Sequence, residues 1–249
     1  LGGIMSLTVA TRPDGTIPLE AIEGAIRADD AHFPRSRLVC LENTHNACNG
    51  SPIPPDYVAD VAALAHAHGL RVHVDGARLF NAAVALDVPA SELVDSVDSV
   101  TFCLSKGLSA PVGAVICGSE SFIAEVHRAR KVLGGGMRQA GVIAAAGIVA
   151  LESMVDRMAE DHARARRMAE GFAALPGLDV GSVHTNILYF SLTEEVPLSG
   201  AEVAAGLKAR GVILPNRSAR GFRAVTHCWI DDAAIEQAIR ALREVVSGA

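Results

Sequence analysis

The chain has 249 residues, half of them apolar, which is enough to bury a sizeable core in one large α/β unit or in a large and a small domain. Its 22 lysines and arginines are outnumbered by 28 aspartates and glutamates, so no general basic field is available to recruit nucleic acid or an anionic membrane surface. The longest apolar run, at 141–151, is well short of the roughly 20 residues that span a bilayer.

The cysteines and histidines indicate a reduced protein without a catalytic metal. The cysteines are odd in number, lack C-x-x-C spacing and mostly lie in apolar, strand-like segments; they are Cys40, Cys48, Cys103, Cys117 and Cys228. This pattern is typical of reduced thiols that serve as small core residues, so we expect a cytoplasmic protein. No histidine cluster has zinc spacing, and we expect no catalytic metal.

Strand and helix patterns alternate over the first half of the chain. The chain opens in what reads as a strand, and a Pro-Asp-Gly turn then leads to an amphipathic helix with Leu19, Ile22 and Ile26 on one side. Further strands are predicted at 38–41, 70–75 and 99–104, with helical segments at 56–68, 79–86 and 91–94. The alternation predicts an α/β fold with a mostly parallel sheet and helices on both faces. The strand at 113–117 follows so closely that we expect it to run antiparallel.

The second half of the chain has a different organisation. Two helices are predicted at 119–132 and 137–174, the second bent or broken. Apolar strands at 186–192, 212–214 and 222–229 then alternate with helices at 199–210 and 231–246. We therefore predict a large cofactor-binding domain over residues 1–155 and a small α+β domain over residues 156–249.

Two reactive side chains follow predicted parallel strands. Asp75 closes the strand RVHVD, and Lys106 follows the strand TFCLS. Ligands of open α/β sheets bind beyond the carboxyl ends of the strands, although a simple ion pair would also explain these two residues. The flanking residues favour a ligand site, because Gly76 lets the backbone approach a ligand and Arg78 can point into the same crevice.

Lysine and aspartate at neighbouring strand ends suit pyridoxal phosphate chemistry. The cofactor aldehyde needs a lysine with which to form a Schiff base. Its pyridine nitrogen needs an aspartate that keeps it protonated, so that the ring can act as an electron sink. Lys106 and Asp75 would meet both needs.

Five motifs then resemble one family in order along the chain. They are LENTHN (41–46), VHVDGARLFNA (72–82), TFCLSKGLSAPVG (101–113), KVLGGGMRQAG (131–141) and FRAVTH (222–227). They are similar to segments of low-specificity L-threonine aldolases, in the β-eliminating lyase branch of the fold-type-I pyridoxal phosphate enzymes. The resemblance implies cleavage of L-threonine or L-allo-threonine to glycine and acetaldehyde. It also implies a homo-oligomer, a dimer of dimers with shared active sites.

The resemblance assigns roles to four residues near the predicted crevice. Lys106 would hold the cofactor as a Schiff base, and Asp75 would bond the pyridine nitrogen. Arg78 would face the cofactor phenolate oxygen or the substrate carboxylate, and Arg223 would clamp that carboxylate. Bidentate arginine–carboxylate pairing would orient the substrate so that its Cα–Cβ bond stands perpendicular to the ring.

Three further residues match family positions close to the site. His32, in DDAHFP, is the candidate catalytic base that removes the β-hydroxyl proton. Lys131 and Arg138 flank the Gly134–Gly136 triplet and are candidate substrate-binding residues that reach the site from a neighbouring subunit. The alternative is that the triplet only links two helices and that both cations are solvated.

Family members carry a further segment ahead of the point where this chain begins to match. That segment holds the Gly-Thr turn for the cofactor phosphate, a histidine that stacks on the pyridine ring, and a serine near the carboxylate; we expect this chain to lack it. Three interpretations stay open: a threonine aldolase, a truncated non-catalytic fragment of that fold, and another fold-type-I enzyme such as an aminotransferase or a cysteine desulfurase. The DGAR and GGGMRQ segments favour the first over the third.

Overall fold

A computed structural model describes residues 2–248, which form two β-sheets and eight α-helices. The strands are β1 (Leu38–Glu42), β2 (Arg71–Asp75), β3 (Ser99–Cys103), β4 (Ala114–Gly118), β5 (Leu178–Val180), β6 (Ile187–Leu192) and β7 (Gly221–Val225). The helices are α1 (Leu19–Ala25), α2 (Pro55–Ala67), α3 (Leu79–Leu86), α4 (Glu120–Val132), α5 (Gly141–Ser153), α6 (Met158–Ala173), α7 (Gly200–Ala209) and α8 (Asp232–Ser247). A single 3₁₀ turn covers Glu92–Val94.

The larger sheet has four strands in the order β1-β2-β3-β4. Strands β1, β2 and β3 are parallel, and β4 runs antiparallel to β3, as the sequence predicts. Glu42 pairs with Asp75, and Asp75 pairs with Thr101, so these strands end at one common edge. That edge is where an open α/β sheet binds its ligands.

The two faces of this sheet differ because successive strand residues point to opposite sides. Helices α1, α2 and α3 pack on the face that carries Leu41, Val74 and Phe102. The opposite face carries the exposed Cys40 and the half-buried His73. Asp75 shares this second face by alternation from His73, so its carboxylate is open to solvent.

The smaller sheet is antiparallel, in the order β5-β6-β7. Helices α6, α7 and α8 contribute to its core, where Phe190 stacks on Phe222 at a centroid distance of 4.9 Å. A capping box between Ser199 and Glu202 begins α7, because the serine hydroxyl accepts from the Glu202 backbone and the glutamate accepts in return.

Helix α6 contributes to both cores. Met158, its first residue, packs with the core of the larger sheet, whereas Met168 and Phe172 belong to the core of the smaller one. The buried Asp161 receives a bidentate bond from Arg157, with 2.9 Å from Nη1 to Oδ2. Since α6 serves both cores, the division between residues 1–155 and 156–249 stays a prediction.

Several predicted elements were wrong in detail. Residues 2–10 form no strand, and the exposed Ile4 and Met5 have no strand beside them among residues 2–248. The segment 212–214 is an irregular connection whose first amide, from Val212, donates to Leu207 O at 2.9 Å. The third strand of the smaller sheet is Leu178–Val180.

The long helix predicted at 137–174 is broken, as expected, into α5 and α6. The strand predicted at 222–229 spans only Gly221–Val225. No helix within residues 2–248 is long and apolar enough to cross a membrane.

Candidate active site

Three strand ends form the floor of the candidate site. The Asn43 amide, just past β1, donates to the Asp75 carbonyl at 2.9 Å, and the Gly76 amide donates to the Thr101 carbonyl at 2.7 Å. A Cβ added at Gly76 would lie 2.8 Å from that same carbonyl oxygen, so only glycine fits. Lys106 lies three residues beyond the end of β3, at the same edge of the sheet. The spacing of strands in the sequence therefore brings Asp75 and Lys106 to one place in the fold.

The Asp75 carboxylate is exposed and partly committed. Its Oδ1 accepts a hydrogen bond from the Ala77 amide at 3.0 Å, which fixes the side chain in the turn before α3. Among residues 2–248 its other oxygen has no hydrogen-bond partner, and no ion pair joins Asp75 to Lys106. The described residues therefore contain no Asp75–Lys106 ion pair, and the second carboxylate oxygen is free to accept a hydrogen bond from a ligand.

Lys106 lies in a tight turn whose shape is set by the backbone. Its carbonyl accepts from the Ser109 amide at 2.9 Å, and Ala110 donates back to Leu104 O at 2.9 Å. Gly107 is buried beneath the turn, whereas Lys106 itself is exposed. The turn thus fixes the backbone of the lysine and leaves its amine accessible.

Two arginines from different parts of the fold interact electrostatically. Arg78 precedes α3, and Arg223 lies on β7 and donates from Nη1 to Asn46 Oδ1 at 2.7 Å. Burial lowers the pKa of the Arg78 guanidinium, the charge of Arg223 lowers it further, and Glu42 opposes both. Within residues 2–248 no carboxylate forms an ion pair with either arginine. Two neighbouring, partly buried guanidiniums that form no direct ion pair in the described residues suit a carboxylate ligand.

The end of β1 and the loop after it supply residues for which the sequence predicts no role. Glu42 Oε1 accepts from the Asn46 amide at 3.0 Å, and Asn46 in turn accepts from Arg223. This loop therefore holds the guanidinium of Arg223 from the side of the larger sheet. In the sequence this loop is marked only by the polar motif LENTHN at the end of a strand. Nothing local indicates that its partner lies on β7.

Three predicted site residues lie apart from this cluster. His32 belongs to the connection that leads into the amino end of β1; its side chain is 89% exposed, and its Nδ1 lies 2.7 Å from Asp30 Oδ1. Lys131 lies in the last turn of α4, and Arg138 lies in the link between α4 and α5; both are exposed. In the described part of the chain, none of the three bonds to the four residues of the cluster. Their membership of the site stays a prediction.

The sequence matches the model of the Beta-eliminating lyase family over residues 1–195. The chain belongs to the beta-eliminating lyase family. It is 40% identical over 250 aligned positions to low-specificity L-threonine aldolase 1 of Arabidopsis thaliana, covering 99% of the chain and 70% of that protein. It is 41% identical over 227 positions to the low specificity L-threonine aldolase of Escherichia coli strain K12, covering 91% of the chain and 66% of that protein.

The fold agrees with this membership. The solved structure of Leishmania major threonine aldolase superposes with a TM-score of 0.76 at 19% identity, covering 95% of this chain and 69% of that one. At this identity the likeness shows the fold alone. The predicted family and the predicted α/β fold class are confirmed.

Beneath the lysine turn of this family member lies a buried polar pair. Asn81 Nδ2 donates to His162 Nε2 at 3.1 Å, and the two residues are only 1% and 3% exposed. Burial lowers the pKa of His162 to about 4; the charge of Arg166 acts in the same direction, and Asp161 opposes it. The folded state therefore holds a neutral imidazole.

This pKa makes the folded protein sensitive to mild acid. Because the folded pKa lies below the unfolded value near 6.5, the stabilisation is complete above pH 6.5 and is lost as the pH falls towards 4. As the pH falls over that window, protonation of His162 in the unfolded state alone should lower the free energy of unfolding by up to about 3 kcal/mol. Urea unfolding of the wild type and of His162→Gln at pH 7.5, 6, 5 and 4.5 measures this. An equal decline in both proteins would contradict the expectation.

Proposed function

We propose that the chain is a pyridoxal phosphate-dependent aldehyde-lyase that cleaves L-threonine or L-allo-threonine to glycine and acetaldehyde. One observation carries the proposal: Asp75 and Lys106 lie at adjacent carboxyl strand ends, in a chain whose Arg78 and Arg223 interact electrostatically and form no direct ion pair among the described residues. This arrangement occurs in a chain whose relatives in Arabidopsis thaliana and Escherichia coli are named low-specificity L-threonine aldolases.

The residues at the strand ends fit the cofactor. The free oxygen of Asp75 would accept from the protonated pyridine nitrogen, while Ala77 holds the other oxygen in place. The exposed amine of Lys106 would hold the cofactor through its aldehyde, with loss of water, from a turn fixed by its own backbone. Bound pyridoxal phosphate supplies the electron sink that Cα–Cβ cleavage requires.

The arginines hold the substrate. Arg223 binds the substrate carboxylate in a bidentate manner and is itself oriented by Asn46. Arg78, whose guanidinium is within electrostatic range of Arg223, would share that carboxylate or face the cofactor phenolate oxygen. A carboxylate fixed at both oxygens would define the rotation about the Cα–N bond of the substrate, which decides which bond at Cα stands perpendicular to the ring and is cleaved.

A base must also accept the β-hydroxyl proton of the substrate. His32 remains our candidate, because its Nδ1 pairs with Asp30 and leaves Nε2 to take the proton. Because His32 lies in the connection into the amino end of β1, away from the carboxyl strand ends, we propose that a neighbouring subunit supplies it. Lys131 and Arg138 are proposed to contribute substrate contacts in the same way.

The affinity for substrate should depend on the shape of Arg223, not only on its charge. Lysine keeps the charge but loses the planar fork that binds both carboxylate oxygens, so Arg223→Lys should raise KM for threonine about 10- to 100-fold, with a smaller effect on kcat. Steady-state kinetics measure this. Arg217→Lys, at an exposed position in the bend before β7, is the matched control. An unchanged KM in Arg223→Lys would remove this arginine from the carboxylate site.

Product analysis tests the proposed reaction. The full chain with pyridoxal phosphate should release acetaldehyde and glycine in equal amounts from L-threonine or L-allo-threonine. Formation of a 2-oxo acid instead, or release of sulfur from cysteine, would indicate another reaction of the same fold. Absence of acetaldehyde from both substrates would overturn the proposal.

We also propose that the chain assembles into a homo-oligomer, a dimer of dimers. Helix α5 is apolar almost all round, yet only Gly147 and Ala150 of its residues are buried. Val142 is 84% exposed, and Ile148 and Val149 are also exposed. An apolar surface of this kind on a helix favours contact with another chain, and the proposed supply of site residues in trans favours a second copy.

A charge on α5 should therefore weaken assembly. Val142→Glu should lower the molar mass measured by light scattering during gel filtration, because a carboxylate would be buried without a partner at the contact. Ile213→Glu, an exposed apolar position in the connection before β7, is the control and should leave the mass unchanged. An unchanged mass for Val142→Glu would exclude α5 from the contact.

A cytoplasmic location remains our proposal. All five cysteines are free thiols, three of them partly buried. Free thiols persist in reducing compartments, which supports the cytoplasm.

A further inference from the structure

The lysine turn packs directly on two side chains from distant parts of the chain. A Cβ added at Gly107, the residue after Lys106, would lie 2.7 Å from Asn81 Oδ1 and 3.1 Å from Met158 Cε. Real Cβ atoms do not approach an oxygen so closely, so no side chain fits at position 107. The backbone of the turn therefore rests on α3 through Asn81 and on α6 through Met158.

The side chain of Asn81 is oriented by a hydrogen bond. Its Nδ2 lies 3.1 Å from His162 Nε2 and donates to it, which places the imidazole proton on Nδ1. This bond leaves Asn81 Oδ1 facing Gly107. Asn81 and His162 are both buried, so neither has water with which to replace the other. His162 thereby determines which atom of Asn81 supports the lysine turn.

The same turn of α6 is bonded to the strand that carries Arg223. Thr226, directly after β7, donates from Oγ1 to the Asp161 carbonyl at 2.7 Å. Asp161 precedes His162 in the chain, and its carboxylate is fixed by Arg157. One turn of α6 thus contacts the support of Lys106 on one side and the end of β7 on the other.

We propose that Asn81 and His162 are positioning residues that hold the Lys106 turn at a fixed distance from the carboxylate-binding Arg223. The inference rests on the proposed function, because it assigns Lys106 and Arg223 their roles there. The amine must meet the carbon that it attacks while the substrate carboxylate is clamped by another element. A displacement of about 1 Å in such an arrangement lowers the rate of the chemical step about 100-fold while binding changes little.

The test compares two substitutions of His162 in the full chain. His162→Leu removes the acceptor and leaves the Asn81 amide buried without a partner, whereas His162→Gln can place an oxygen near the lost Nε2. We expect His162→Leu to lower kcat about 10- to 100-fold, with KM for threonine within about threefold of wild type, and His162→Gln to restore most of kcat. The second readout is independent of turnover. It is the rate at which Lys106 captures pyridoxal phosphate, measured by timed borohydride reduction and peptide mapping, and it should fall in His162→Leu and recover in His162→Gln.

Gly107→Ala gives a second test in which both members of the buried polar pair keep their side chains. Its methyl group would push the turn away from Asn81 Oδ1, so capture of pyridoxal phosphate by Lys106 should slow. This variant also decides the matter if His162→Leu does not fold. Circular dichroism supplies the folded fraction by which each rate is normalised.

The outcomes separate this inference from the proposed function. Normal capture by Lys106 and normal kcat per folded molecule in both His162→Leu and Gly107→Ala would make the pair merely structural and overturn the inference alone. If the wild-type chain captures no pyridoxal phosphate at Lys106, the proposed function fails and the inference fails with it. A rise in KM without a fall in kcat would also overturn the inference, because it would place the effect on binding.

Discussion

Replacement of Lys106 by alanine should abolish threonine cleavage, with a fall in kcat on the order of 10⁴-fold or more. The reason is that, in the proposed function, the amine would both hold the cofactor and lie at the strand edge where the reaction takes place. The exposed position of Lys106 means that the change should cost little stability, so the loss of activity should occur in a folded protein. Acetaldehyde release from threonine, measured beside the unfolding temperature, gives both quantities.

The small number of lysines in the chain provides a control for this variant. It has only three lysines, Lys106, Lys131 and Lys208. Lys208 lies in the last turn of α7, in the smaller-sheet half of the molecule, so Lys208→Ala should retain full activity. Turnover that survives Lys106→Ala would remove this lysine from the mechanism and with it the assignment of the site.

Asp75→Asn should lower kcat on the order of 10²- to 10³-fold. Asparagine has the same shape and can keep the hydrogen bond from the Ala77 amide, so the turn before α3 should persist. It lacks the negative charge that holds the pyridine nitrogen protonated, so the ring loses its strength as an electron sink. The effect should appear in kcat measured at saturating pyridoxal phosphate.

An exposed aspartate on α2 provides the comparison for Asp75. Asp60→Asn removes the same charge from the molecule at a position outside the sheet edge and should leave kcat unchanged. Full activity in Asp75→Asn would mean that another group protonates the pyridine nitrogen, and the free oxygen of Asp75 would then have no role in catalysis.

The part of the site built on successive strands could be predicted from the sequence. Asp75 and Lys106 follow strands whose apolar pattern is local, and parallel strands must end at the same edge. The same reasoning gave the antiparallel β4, because the link from β3 is too short for a crossover. Local pattern and connection length were sufficient there.

Contacts between distant segments could not be predicted in this way. Arg223 and Asn46 are 177 residues apart in the chain, and Asn81 and His162 are 81 apart, so no periodicity links them. His162 reads in the sequence as one more residue of an amphipathic helix. Only the packing of α6 against both sheets brings it to Asn81.

The wrong strand assignments have related causes. The apolar residues at 212–214 suggested a strand, but two of the three are only half-buried and none pairs with β6. Strand β5 was missed because it has three residues with the charged Asp179 at its centre. A strand is defined by its neighbour, and for such short segments the composition does not reveal it.

Borohydride trapping of the wild-type chain tests the central claim most directly. The chain is mixed with pyridoxal phosphate, reduced, digested and mapped by mass spectrometry, and its three lysines make the assignment unambiguous. The expected result is one cofactor-modified peptide that contains Lys106. Modification confined to Lys131 or Lys208, or an unmodified Lys106 at saturating cofactor, would contradict the proposed site and the function built on it.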